Sequence, residues 1–98
     1  MNHKKSIEFV LISSDDTLLQ ALKCMDNRKL KLLVIIDDKD RYLNLLSIGD
    51  IQRSILQNIS LETKIKNIEI EKKMVAYDTW SEKQIKNLKA TKICKVSY

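Results

Sequence analysis

Ninety-eight residues, 44% hydrophobic and 32% charged, describe one small folded domain rather than a disordered chain or a multidomain enzyme. No apolar run approaches the roughly 18–20 residues of a membrane-spanning helix, and the start, Met1-Asn2-His3-Lys4-Lys5, is polar rather than signal-like. His3, in that tail, is the single histidine, which leaves no Ser/Cys-His-Asp arrangement.

Cys24 and Cys94 have neither CxxC spacing nor a histidine neighbour, so they read as two buried free thiols of a cytoplasmic protein, without zinc or redox chemistry. The net charge of +5 is uneven. Residues 1–63 hold nine Lys/Arg against nine Asp/Glu, whereas residues 64–98 hold nine lysines against Glu69, Glu71, Asp78 and Glu82. These lysines are scattered among Ile, Asn and Glu, without arginine and with few aromatics, so a solvated face is expected rather than a nucleic-acid surface.

In chain order, residues 1–6 are expected to be a disordered tail. Residues 7–12 form a continuous apolar run, read as a strand, and Ser13-Ser14-Asp15-Asp16 breaks it. Thr17-Leu18-Leu19-Gln20 has the spacing of a capping box, and Leu18, Ala21, Leu22 and Met25 recur at helical spacing until Asp26-Asn27-Arg28. A strand at 32–36, an acidic turn at 37–41 and a strand at 42–46 follow. A second helix spans about 49–58, its inward face built by Ile51, Ile55 and Ile59. Residues 60–68 form a connector anchored by Leu61, Ile65 and Ile68.

The pattern then begins again. Residues 74–77 are apolar, and Asp78-Thr79-Trp80-Ser81-Glu82 echoes Asp16-Thr17 at a distance of 62 residues. Ile85 and Leu88 continue as a helix, and Ile93, Cys94 and Val96 read as a strand. The expected fold is therefore α/β: a β-α-β-β-α unit over 7–68 and an incomplete second unit over 69–98.

One corner concentrates the chemistry. Ser47-Ile48-Gly49-Asp50 lies where the third strand becomes the second helix, and Gly49 is the only glycine. A hydroxyl and a carboxylate three residues apart suit sugar hydroxyls. The same two side chains also make a helix cap, with Ser47 at the N-cap and Asp50 at the third helical position. The acids Asp37, Asp38 and Asp40 lack the glycine and distal glutamate of a calcium loop and read as solvated turn residues, so no metal site is expected. Trp80 reads as a core or dimer-face aromatic, and Met25 and Met74 as core filler.

Taken together, Ile12, Asp16-Thr17, Ala21-Leu22, Leu33-Val34-Ile35-Ile36-Asp37 and Leu45-Leu46-Ser47-Ile48-Gly49-Asp50-Ile51 resemble a CBS motif, the module named after cystathionine β-synthase. The family corner reads Gly-x-x-Thr/Ser-x-x-Asp. Ser47 and Asp50 match its last two positions, and Asn44 stands where the pattern has glycine. The resemblance implies paired motifs whose clefts bind adenosine-containing effectors such as AMP, ATP or S-adenosylmethionine, with no required cofactor. Asp50 would then accept from ribose hydroxyls, Ser47 would hold the ribose or phosphate edge and Arg53 would meet a phosphate. Leu11 and Ile12 would line the adenine slot. Such a module is regulatory rather than catalytic, and is expected to form a homodimer that covers apolar sheet surface.

More narrowly, residues 49–56 and 59–68 are similar to the N-terminal CBS region of bacterial sugar-phosphate nucleotidyltransferases, which implies a catalytic domain beyond Tyr98. A purely structural dimerisation scaffold with a vestigial site is the alternative, and a small basic nucleic-acid binder a third.

Overall fold

The computed structural model describes residues 10–71 together with Ile85 and Ile93. Strand β1 (Leu11–Ser13) leads through helix α1 (Leu18–Arg28) to β2 (Leu32–Ile36), β3 (Tyr42–Ser47) and helix α2 (Ile48–Leu56), and a short 3-10 helix (Ile65–Asn67) follows. This is the β-α-β-β-α order expected from the sequence. The sheet runs β1-β2-β3, with β1 parallel to β2 and β3 antiparallel to it. A register shift between Ile35 and Ile36 makes Ile35 face Asn44 and Ile36 face Tyr42, so one extra residue sits in β3 there.

Both sheet faces are apolar, which explains why β1 and β2 read as continuous hydrophobic runs rather than alternating ones. Val10, Ile12, Leu33, Ile35 and Leu46 pack on Leu18, Ala21 and Met25 of α1, Ile51 of α2 and Ile65. Leu11, Val34, Ile36 and Leu45 form the opposite face, where Ile85 is fully buried against them and Ile93 packs alongside. Ile85 is helical, and Ile93 bridges Leu11 in parallel. The apolar segment 74–77, Thr79, Trp80, Glu82, Leu88 and Val96 lie outside the described residues, as does the tail 1–6.

The connector is pinned at several points. Leu18 N–H donates to the Thr63 carbonyl (3.0 Å), Leu19 N–H to Leu61 (2.9 Å) and Ile65 N–H to Asp16 (2.8 Å). Leu61 and Ile68 are partly buried against the helix-side core, as their spacing predicts.

Two expectations need correction. Ile55 is 46% exposed, and Ser54 takes the inward position beside Ile51. Both lie within reach of Ile51's face at spacings of three and four, and Ser54 can go inside because its hydroxyl donates to the Asp50 carbonyl at 3.0 Å. Cys24 is buried and disulfide-bonded, not a free thiol. Separation along the chain gives no measure of distance in space, so a missing CxxC motif says nothing about such a bond. Cys94 lies outside the described residues.

Candidate functional site

The corner between β3 and α2 is built by backbone geometry first. Ser47 is extended (φ −99°, ψ 161°), and its carbonyl side opens directly into α2. Its hydroxyl accepts from Asp50 N–H (3.1 Å), while Asp50 Oδ2 accepts from both Ser47 N–H and Ser47 Oγ, each at 2.8 Å. The capping box is thus complete, and a negative charge sits at the positive end of the helix. Ile48 N–H, another first-turn amide, donates to the Lys31 carbonyl at 2.9 Å.

The other carboxylate oxygen is engaged too. Arg53 Nη2 donates to Asp50 Oδ1 at 2.6 Å, with the Asp50 side chain 5% exposed and that of Arg53 63% exposed. Gly49 immediately precedes Asp50 in the first turn of α2. A Cβ built there meets Arg53 Nη1 at 3.5 Å and Ser47 Oγ at 3.6 Å, so the guanidinium lies over Gly49.

Ser47, Asp50 and Arg53 are therefore brought together. Leu11 and Ile12 are not part of that group. They lie on β1, at the far side of β2, on opposite faces of the sheet, and each is fully buried.

Sequence reasoning passed over the surroundings. A cavity of about 370 Å³ adjoins the corner at Ile48, with Leu22, Met25 and Leu30 as its apolar wall and Lys29 and Lys31 at its rim. A second, of about 160 Å³, lies at the other end of β3 between Ser14, Ile35, Asn44, Ile65 and Lys66. Asn44 Nδ2 donates to the Glu71 carbonyl at 3.1 Å, tying the chain after the 3-10 helix to the β3 edge. The signal that places Lys31 here is the strand register, in which Leu32 faces Ser47.

Two further charge clusters tie the chain to itself. Asp37 closes the hairpin: its Oδ1 accepts from Lys39 N–H (2.8 Å) and Arg41 N–H (2.9 Å), and its Oδ2 from Arg41 Nε (2.8 Å). Partial burial pushes its carboxyl up, but those amides and the guanidinium outweigh that and hold it below the usual range. Lys66 Nζ meets Asp15 Oδ1 at 2.7 Å; this contact lowers the carboxyl and raises the ammonium. Among the described residues no group of three or more His, Cys, Asp or Glu is placed to hold a metal ion, and no helix is long and apolar enough to cross a membrane.

Three comparisons bear on this geometry. The CBS domain family model matches residues 4–57. A CBS domain protein of Pyrobaculum aerophilum, solved with AMP, superposes with a TM-score of 0.57 at 17% identity, over 62% of this chain and 48% of that one. Staphylococcus aureus OpuCA superposes at 0.50 with 27% identity, over 57% and 48%. The CBS domain pair of protein MJ0100, solved with 5-methylthioadenosine and S-adenosyl-L-methionine, gives 0.50 at 21% identity, over 54% and 44%. The match therefore spans about half the length of each of these chains. No curated protein sequence matches. With more than half its residues matched by the family model and its β-α-β-β-α unit superposing on those structures, the chain belongs to the CBS domain family.

Proposed function

We propose that this chain is a regulatory module that binds an adenine nucleotide of the AMP or ATP kind, or S-adenosylmethionine, at the Ser47–Asp50 corner. The observation that carries the reading is the corner itself: a nine-tenths-buried carboxylate held by Ser47 at a strand-to-helix turn, with the Arg53 guanidinium in contact. CBS domains are generally non-catalytic regulatory modules, and structures of the same fold hold AMP, methylthioadenosine and S-adenosylmethionine. Carboxylate oxygens accept from vicinal hydroxyls, and the positive end of a helix favours a phosphate. An effector acts only so far as it binds two arrangements of the module unequally.

The same reading takes residues 7–68 as one complete motif and 69–98 as part of a second. It includes a homodimer, a cytoplasmic address where such effectors occur, and an attached catalytic domain. That this domain is a nucleotidyltransferase is proposed on the resemblance of residues 49–56 and 59–68 alone. Calorimetric titration with AMP, ATP and S-adenosylmethionine tests the module. Saturable heat that disappears in Asp50→Asn, while the variant still melts cooperatively, is the expected result; no heat from folded wild type overturns the reading.

A specific observation favours the alternative of a dimerisation scaffold. Leu56 is 81% exposed and Ile55 46% exposed at the end of α2, an apolar pair available to a second copy. On that reading Leu56→Glu reduces the mass measured by light scattering from dimer to monomer and leaves nucleotide titrations silent in both proteins.

A further inference from the structure

Ser14 follows β1 at the opposite end of the sheet from the Ser47–Asp50 corner. Both of its backbone groups are used: its N–H donates to the Ile36 carbonyl and its carbonyl accepts from Lys66 N–H, each at 2.9 Å. The residue is only 7% exposed, yet among the described residues its hydroxyl has no hydrogen-bond partner. A buried hydroxyl normally has one. Ser14 lines the cavity of about 160 Å³ beside β3, and that cavity is where a partner for the hydroxyl fits. We propose that it is a binding site for a free α-amino acid with an aliphatic side chain, separate from the corner and independent of the nucleotide reading.

The walls select the side chain. Ile35 and Ile65 are buried, and Ile68 and Ile70 are half-buried beside them. Such a lining favours branched aliphatic carbon through burial of apolar surface. An apolar cavity of about 150 Å³ accepts a group the size of benzene. The four carbons of a leucine or isoleucine side chain therefore fit, whereas a bicyclic base or an indole exceeds the space.

The mouth selects the head group. Lys66 lines the same cavity, and its Nζ meets Asp15 Oδ1 at 2.7 Å, with about half of each side chain exposed. An ammonium and a carboxylate side by side complement a carboxylate and an ammonium carried on one carbon. Ser14 directly precedes Asp15 and its carbonyl holds the Lys66 backbone, so the three side chains are anchored to one another. The ligand carboxylate accepts from Lys66 Nζ and from the Ser14 hydroxyl, which thereby gains its partner, and the ligand ammonium donates to Asp15. A carboxylate accepts several donors, so Asp15 keeps Lys66 while it takes the ligand. The exposed pair is weak by itself, and a ligand carrying both charges uses both of its members.

The test is an amide NMR titration of the full chain with L-leucine, repeated with 4-methylpentanoate, which lacks the ammonium, and with glycine, which lacks the side chain. Ser14→Ala and Lys66→Met are titrated alongside, with thermal melts as the folding control. The expected result is saturable shifts with L-leucine at Ser14, Ile35 and Lys66, and binding of the two control ligands at least tenfold weaker. Each substitution weakens L-leucine by about tenfold, the scale of one hydrogen bond to a charged group. Because the Ser14 hydroxyl has no partner within the described residues, Ser14→Ala should melt no lower than wild type. Folded wild type that does not respond to L-leucine overturns the proposal. So does a response that both substitutions leave unchanged, or one that 4-methylpentanoate or glycine reproduces at equal strength.

Discussion

Asp16 and Asp37 respond to acid in opposite senses. Burial raises the Asp16 carboxyl above the usual range, against the hydrogen bond from Ser13 N–H and helped by neighbouring Asp15. A carboxyl raised in the folded state contributes stability below its unfolded pKa and loses it as pH rises through the folded value. Asp37 is lowered, so its contribution is present above the unfolded value and lost as pH falls through the folded one. Asp16→Asn, which can still accept from Ser13 N–H, is expected to melt higher than wild type at neutral pH. That advantage shrinks as pH falls through the aspartate range, and a gap in melting temperature that does not vary with pH would contradict the assignment.

Gly49 makes a second case at this scale. Its position at a strand-to-helix corner suggests a need for left-handed backbone, yet Gly49 does not have positive φ, and among the described residues those that do are Lys29, Asp40 and Asn58. Gly49 instead sits inside α2, where its missing side chain is a cost to the helix. Since an added Cβ meets only ordinary contacts at 3.5 and 3.6 Å, Gly49→Ala should stabilise the fold by about 0.5–1 kcal/mol. The measurement is the denaturation midpoint, and a lower midpoint would show that the Arg53 guanidinium cannot give way.

At the scale of elements, both helices begin with a complete capping box, Thr17 with Gln20 and Ser47 with Asp50. The first is flanked by amides already satisfied from elsewhere, since Leu18 and Leu19 donate to Thr63 and Leu61. Thr17→Ala therefore removes one acceptor, for Gln20 N–H at 3.2 Å, and is expected to cost about 0.5–2 kcal/mol, toward the low end, without fraying the helix. Hydrogen exchange at the Gln20 amide should speed while that at Leu19 stays slow. The capping pattern was legible because it depends only on residues three apart. The tertiary acceptors were not, because they come from a connector more than forty residues away. The inward face of α2 was misjudged for a similar reason: hydrophobicity favours Ile55, but the Ser54 hydroxyl satisfies itself on the Asp50 carbonyl and so can be buried.

For the whole molecule, the sheet has two apolar faces and only one is covered by α1 and α2. The other is closed in part by Ile85, which is fully buried against Leu11, Val34, Ile36 and Leu45. Truncating a residue so enclosed leaves a cavity, and Ile85→Ala is expected to destabilise the domain by about 2–5 kcal/mol. Urea melts that show no such loss would mean that the residues around Ile85 contribute little to holding the sheet.

The sequence alone determined the order of elements, both caps, the strands 32–36 and 42–46 and the pairing of Ser47 with Asp50, because each follows from periodicity or from side chains within one turn of each other. Tertiary structure decided what is distant along the chain or set by direction in space. It buried Leu11 and Ile12 on opposite faces of β1, brought Lys31 to the corner through strand register and laid the Arg53 guanidinium over Gly49. Strand alternation and side-chain rotamers fix those outcomes, and neither is encoded in a local motif.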